Sequence, residues 1–329
     1  MENQSFYLPH EKPIIECLKT IEHLKKQQPL NAKEIKKLEQ ELERVRRQVY
    51  GGLSTWDRIL IARHPNRPHS IDYIRNSTDR FLELHGDRTC SDDPSVVGGF
   101  ATIDGIKFVC VGQEKGSDTE SRIHRNFGMV CPEGFRKALR LMELAEKYGL
   151  PVVSFLDTAG AHVGIEAEQR GQGWVIANNL LEMSQCQVPI IVVIIGEGAS
   201  GGALGMGVGD VVGILEHAYY SVVTPEGCAS IIWKDAAKKR EAAEALKCTS
   251  EHLIELGVVD EVIPEPTGGA HHDPASAYKN VRNFILEKYH VLKRIDTPIL
   301  LEHRYGRFRR MGQCGERKAT CALEVQVGS

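Results

Sequence analysis

The sequence predicts an α/β domain built on a largely parallel sheet. Two short apolar runs, Pro151-Val-Val-Ser-Phe-Leu156 and Val188-Pro-Ile-Ile-Val-Val-Ile-Ile195, lack the in–out alternation of a half-exposed strand. They read as strands buried on both faces. Each ends in small residues, Asp157-Thr-Ala-Gly160 and Gly196-Glu-Gly198, as strand-to-helix turns do. Helical patterns lie between and around them, and strands alternating with helices are the grammar of parallel pairing.

Taken in order, residues 1–50 form an N-terminal helical arm. Residues 13–50 read as two helices broken near Gln28-Pro29-Leu30-Asn31. In the second, Ile35, Leu38, Leu42, Val45 and Val49 recur at alternating spacings of three and four amid dense Glu, Lys and Arg. That seam suits either a surface helix packed on its own domain or an arm embracing a partner subunit. Residues 51–265 form the core. Its first part, 51–95, reads as loop-rich, with His64-Pro65-Asn66-Arg67-Pro68 marking irregular backbone. Strands over 96–104 and 107–113 flank an Asp104-Gly105 hairpin turn. Residues 132–148 form a helix with Phe135, Leu139, Leu141, Met142 and Leu144 on its apolar face. Further helices are expected over 173–183, from 228, and over 236–246 and 250–256. Further strands are expected over 211–215, 219–223 and 258–263. Residues 266–310 add a C-terminal helical segment, chiefly 276–293, and 311–329 form a tail, expected to be disordered.

Bulk properties exclude several function classes. The 329 residues are 42% apolar with a net charge of −3, so no basic field points to nucleic acid. The longest apolar run has eight residues and the N-terminus lacks a signal pattern, which leads us to expect a cytoplasmic protein with no membrane contact. Nine cysteines are spread singly with no C-x-x-C, which argues against a structural zinc site or a disulfide framework; no metal is expected. There is no Walker A sequence for ATP.

The stretch Gly196-Glu-Gly-Ala-Ser-Gly-Gly-Ala-Leu-Gly-Met-Gly-Val-Gly-Asp210 carries the chemical question. It matches a dinucleotide fingerprint (Gly196, Gly198, Gly201), with Glu216 near the position of a ribose acid. It also matches a serine-hydrolase elbow (Gly198, Ser200, Gly202). Against the first, a phosphate helix containing Gly201, Gly202, Gly205, Gly207 and Gly209 loses about 0.5–1 kcal/mol per interior glycine relative to alanine. Against the second, His217, His271, His272 and Asp260 all follow Ser200, but no spacing selects a partner. A third reading takes the glycines as bared backbone N–H groups at a helix N-terminus, an oxyanion hole best supplied by Gly201 and Gly202. A fourth leaves them to close helix–sheet packing alone. Ser200 then reads as a helix cap.

Several ordered motifs resemble one family. They are Arg125-Asn-Phe-Gly-Met129, Pro132-Glu-Gly-Phe-Arg-Lys-Ala-Leu-Arg140, Gly171-Gln-Gly173, Gly196-Glu-Gly-Ala-Ser-Gly-Gly-Ala-Leu204, Pro225-Glu-Gly-Cys-Ala-Ser230 and Ile263-Pro-Glu-Pro-Thr-Gly-Gly-Ala-His271. Together, and in order over about residues 35–310, they resemble the carboxyltransferase α subunits of bacterial-type acetyl-CoA carboxylase. The resemblance implies a ClpP/crotonase-like spiral of β-β-α units. It also implies transfer of a carboxyl group from carboxybiotin, held on a biotin carboxyl carrier protein, to acetyl-CoA, giving malonyl-CoA for fatty-acid synthesis. ATP would be used by a separate biotin carboxylase. Implied partners are a zinc-ribbon β subunit, in an α2β2 complex, the carrier and the biotin carboxylase. The implied oxyanion site for the biotin ureido oxygen falls at Gly201 and Gly202. Gly198, Ala199 and Ser200 lie around it, and Ala159, Gly160, Pro225, Glu226 and Gly227 shape its walls. Arg122, Arg125, Arg136, Lys137 and Arg140 are candidates for CoA phosphates or simply a solvated helix face.

The chain departs from the family at one loop. Asp157-Thr-Ala159-Gly-Ala-His162-Val163-Gly164 stands where the family reads Asp-Thr-Pro-Gly-Ala-Tyr-Pro-Gly. Residues after Arg310 extend beyond the family pattern. Two other classes compete: a stand-alone crotonase-type acyl-CoA hydratase or hydrolase, for which Glu166 with Glu168 is the nearby carboxylate pair, and a non-catalytic scaffold of the same fold.

Overall fold

A computed structural model describes residues 6–27 and 32–312. The helix break expected at 28–31 and nearly all of the tail therefore lie outside the described residues. A mixed sheet occupies the centre: β1 (Arg80–Glu83), β2 (Val96–Ile103), β3 (Ile106–Gln113), β4 (Val152–Thr158), β5 (Ile190–Ala199), β6 (Val211–Leu215), β7 (Tyr219–Ser221) and β8 (Glu261–Ile263). Its order is β1-β2-β3-β4-β5-β6-β8, with β7 paired to β5. The first three strands are antiparallel and all later pairings are parallel. The β2–β3 turn has Asp104 at φ 49° and Gly105 at φ 73°, the doubly left-handed turn whose twist matches that of paired strands.

Every residue of β4 and β5 is buried, as their unbroken apolar runs require. The helices Pro132–Tyr148 and Gln172–Gln185 pack on one another. Pro274–Leu292 packs on β6, where Phe284 sits so close that a Cβ on Gly213 would fall 2.5 Å from its ring. The β-β-α unit is realised by β2–β3 with Pro132–Tyr148 and by β6–β7 with Pro225–Trp233. By contrast, β4 and β5 lead straight into helices, so the spiral is not a uniform repeat.

Two segments frame the sheet. Residues 51–95 are loop-rich, yet their loops connect the helices Thr55–Ala62 and Ser70–Ser77 and strand β1. The first helix is capped by Ser54, which accepts the Asp57 N–H, and buries Trp56, Ile59 and Ile61. The prolines between the two helices punctuate them, while Arg67 is fully enclosed and fork-bonded to Glu265 at 2.8 and 2.6 Å. The C-terminal helical segment reaches past His303. Thr297–Arg309 is helical, and its Arg304, 1% exposed, binds Asp210 and the carbonyls of Met183, Cys186 and Val188. The seam residues Ile35, Leu38, Leu42, Val45 and Val49 are half-buried, and their helix Ala32–Gly51 packs on Lys12–Gln27.

Candidate active site

The glycine stretch divides between strand and helix differently from either textual motif. Gly196 and Gly198 belong to β5, and a one-turn helix, Ser200–Leu204, follows. A Cβ on Gly196 would lie 2.4 Å from Asp157 Oδ1, and one on Gly198 would lie 2.7 Å from the Tyr220 ring. These two glycines serve close packing inside the sheet, which removes the dinucleotide reading. Glu216, the candidate ribose acid, instead accepts the Glu265 N–H.

Gly201 and Gly202 are the second and third residues of that helix. Their N–H groups therefore fall in the first turn, where no earlier helical carbonyl is in reach. Gly202 presses on the β4 loop so closely that a Cβ would come within 2.3 Å of Gly160 C and 2.4 Å of Ala161 N. At Gly201 the nearest neighbour to a Cβ is Ile176, at 3.7 Å. Gln113, at the end of β3, ties the loops together: its Nε2 donates to Gly202 O at 2.6 Å and its Oε1 accepts the Asp157 N–H at 3.2 Å. Ser200 is not the expected cap. Ala199 occupies the N-cap position, no side-chain cap forms, and Ser200 itself sits left-handed at φ 59°. Its hydroxyl makes no hydrogen bond among the described residues, and no histidine activates it, so the hydrolase reading also fails at its nucleophile.

Two cavities meet at Ser200. One, of about 500 Å³, is lined by Ala159, Gly160, His162, Glu168 and Val222 among others; the second, of about 370 Å³, by Gly201, Tyr220, Leu253 and Val258. Gly160, at φ 151°, has its N–H held by Thr158 Oγ1 at 3.0 Å, and that hydroxyl donates to Gly128 O at 2.6 Å. His162 Nδ1 accepts from Asn126 Nδ2 at 2.9 Å, which leaves the proton of a neutral ring on Nε2. The expected third wall is shifted. Val222, Val223 and Thr224 line the larger cavity, whereas Pro225, Glu226 and Gly227 open the helix behind it. Glu226 turns away to accept from Arg63 at 2.7 Å. Gly198 and Ala199 stay buried in β5 and line neither cavity.

Beneath these loops lies a charged floor that the sequence motifs did not single out. Lys115 Nζ stands 2.7 Å from Asp157 Oδ1 and 2.5 Å from Glu197 Oε2. His69 Nδ1 lies 3.0 Å from Asp157 Oδ2. Arg63 Nε and Tyr219 OH both donate to Glu197 Oε1 at 2.6 Å. Burial pushes the Glu197 carboxyl up, but the charges of Lys115 and Arg63 and the hydrogen bonds of Lys115 and Tyr219 outweigh it and hold it at about 2. Asp157 is likewise driven well below the carboxylate range, since Lys115 and His69 overcome its burial. Lys115 is raised, its two carboxylates outweighing burial. One signal for this floor was present: Glu197 is a charged residue between two glycines of a strand otherwise free of charge.

The candidate phosphate arginines have other duties. Arg136 binds Asp87 and Glu133, Arg140 binds Gly86 O, Arg125 binds Pro94 O and Arg122 binds Gly116 O. Lys137 is 1% exposed and donates to Val96 O at 2.7 Å. This is neither a solvated face nor a free cationic one, because the irregular backbone of 85–96 draws most of these donors onto its carbonyls and acids. The hydratase pair does not converge either: Glu166 is largely exposed and faces Arg170, and residues two apart on a helix point in different directions.

The family model for acetyl co-enzyme A carboxylase carboxyltransferase-like proteins matches residues 7–312. The chain belongs to this family. Two relatives are named acetyl-coenzyme A carboxylase carboxyl transferase subunit alpha. That of Protochlamydia amoebophila is 60% identical over 93% of this chain and 98% of its own. That of Chlamydia caviae is 56% identical over 93% and 95%. Among solved structures, the transcarboxylase 12S core superposes with a TM-score of 0.55 at 23% identity, over 69% of this chain and 43% of that one. That likeness is one of fold, and the carboxyltransferase fold it shares is crotonase-like, as the ordered motifs implied. Family membership sets the carboxyltransferase reading above the hydratase alternative. Among the described residues, no helix is long and apolar enough to cross a membrane.

Proposed function

We propose that this chain is the α half of an acetyl-CoA carboxylase carboxyltransferase, acting on the biotin side of the reaction. It acts in the cytoplasm with a zinc-ribbon β subunit, in an α2β2 complex, and receives carboxybiotin on a carrier protein charged by a separate, ATP-using biotin carboxylase. Carboxybiotin is a substrate here: it releases CO2, and its ureido nitrogen takes the acetyl-CoA methyl proton so that the enolate can capture the carboxyl group. The chain's own part is placement and charge stabilisation.

The observation that carries this reading is the meeting of the two strand-end loops, Gly202 against Gly160–Ala161. It sets first-turn N–H groups beside a cavity at whose edge the Ser200 hydroxyl is unactivated. The N–H groups of Gly201 and Gly202 would receive the ureido oxygen, with Ala159, Gly160, His162 and residues 222–224 as walls. Exposed apolar side chains surround this region, with Val163 78%, Ile165 76%, Trp174 68% and Val222 77% accessible. A cluster of that kind suits burial by another subunit.

The purified chain should be inert alone. Mixed with a matching β subunit it should decarboxylate malonyl-CoA in the presence of biocytin. A folded α–β mixture without that turnover would overturn the assignment.

A further inference from the structure

The N-terminal segment meets the loop after β8 through a cluster of imidazoles and one carboxylate. Glu11 is 3% exposed. Its Oε2 accepts the Leu8 N–H at 2.7 Å, which turns Oε1 toward Tyr50 OH at 2.8 Å and His272 Nε2 at 3.4 Å. His271 stacks on His64 with ring centroids 3.8 Å apart. Both ring nitrogens of His271 are shielded from solvent, and neither has a hydrogen-bond partner among the described residues. A shielded imidazole with no partner on either side is poorly satisfied by protein groups alone.

We propose that Glu11, His271 and His272 bind one divalent transition-metal ion of the zinc class, clasping the N-terminal segment to the 264–273 loop. One carboxylate oxygen and two imidazole nitrogens are a donor set that suits such ions. The ligand atoms of all three residues lie within 4.8 Å of one another. At zinc-to-ligand distances near 2.1 Å, two ligand atoms on a tetrahedral ion stand about 3.4 Å apart. The Glu11 Oε1 to His272 Nε2 distance, 3.4 Å, already has that length. A ring adjustment at His271 brings in the third donor, and Tyr50 OH or water completes the shell. His272 is 46% exposed in its side chain, which supplies the entry path. The missing C-x-x-C does not bear on this site, because no sulfur takes part.

The test is Co2+ and Zn2+ titration of the full-length chain. One equivalent of Co2+ should give visible absorption of a tetrahedral nitrogen–oxygen site without a thiolate charge-transfer band, and Zn2+ should displace it and raise Tm. His272→Arg keeps a hydrogen-bond donor for Glu11 but cannot ligate, since a guanidinium only donates. It and Glu11→Gln should each weaken Co2+ binding by more than about tenfold, as loss of a direct ligand exceeds loss of an outer one. His272→Arg should do so with unchanged Tm in chelator. Absence of a stoichiometric spectrum, a thiolate band, or binding indifferent to both variants would overturn the proposal.

Discussion

The proposed oxyanion rim of the candidate site and its charged floor are suited to the same problem, holding negative charge, by opposite means. At the rim, Gly201 and Gly202 offer backbone N–H groups, which carry no net charge and do not titrate. On the floor, Lys115, Arg63, Asp157 and Glu197 engage one another through full charges at 2.5–2.7 Å, and His69 hydrogen-bonds Asp157. The rim has donors to spare for a substrate, while the floor carboxylates are already engaged. The difference teaches that ionisable residues near a site need not be its chemistry. Here they fix Asp157 and Glu197, and through the Glu197 N–H to Asp157 Oδ1 bond at 3.0 Å they lock the ends of β4 and β5 together.

The comparison breaks most visibly at Lys115. Lys115→Met strands two buried carboxylates, and losing one partner of such a network costs roughly 3–5 kcal/mol. Urea unfolding of the chain should show that loss, and an unchanged midpoint would make the floor dispensable. At the rim, Gly202→Val drives a side chain into the Gly160–Ala161 backbone. It should remove biocytin-dependent turnover by at least about a hundredfold, the scale of one lost oxyanion donor. Gly201→Ala, with nothing nearer than 3.7 Å, should be far milder. Equal damage from both would detach the rim loop from catalysis. The floor should also show in acid. Because the folded carboxyl of Glu197 is depressed to about 2 from 4.5, its stabilisation is complete above the unfolded value and declines as pH falls from about 4.5 toward 2. Tm measured down that range should fall less steeply in Glu197→Gln, and parallel curves would count against the network. Smallest of all, Ser200→Ala should leave turnover within about twofold, since a helix residue without a capping bond or an activating base has little to lose. Ser200→Gly should raise stability by up to about 1 kcal/mol by relieving the left-handed backbone. A strong turnover defect in Ser200→Ala would restore the hydroxyl to the mechanism.

Much of the sheet was legible because its buried strands are unbroken apolar runs and its hairpin carries Asp104-Gly105. The helix over 132–148 was read to the residue, since Pro132 and Gly149 bracket it. Other features depended on long-range contacts that no local pattern contains. The helices Thr55–Ala62 and Ser70–Ser77 are short and interrupted by prolines, so their periodicity is weak. Arg304 lies in a basic run whose residue types do not say which member Asp210 and three carbonyls enclose. Similarly, the motif reading assigned Ser200 a cap and drew Pro225–Gly227 into the wall. A cap depends on backbone φ/ψ, and a wall on the direction in which Glu226 turns, and neither is written in residue types. The floor was missed because its members, Arg63, Lys115, Asp157 and Glu197, lie up to 134 positions apart.

The anchoring of Arg304 bears on how the protein is made. Its guanidinium satisfies Asp210 and the last carbonyls before β5 from a helix almost at the end of the described chain. During synthesis the strands emerge first, yet the groups at the edge of β5 must wait, still hydrated, for a residue 94 positions beyond Asp210. That edge is therefore the last part of the sheet to close, and a chain ending before Arg304 leaves Asp210 and three buried carbonyls without this partner.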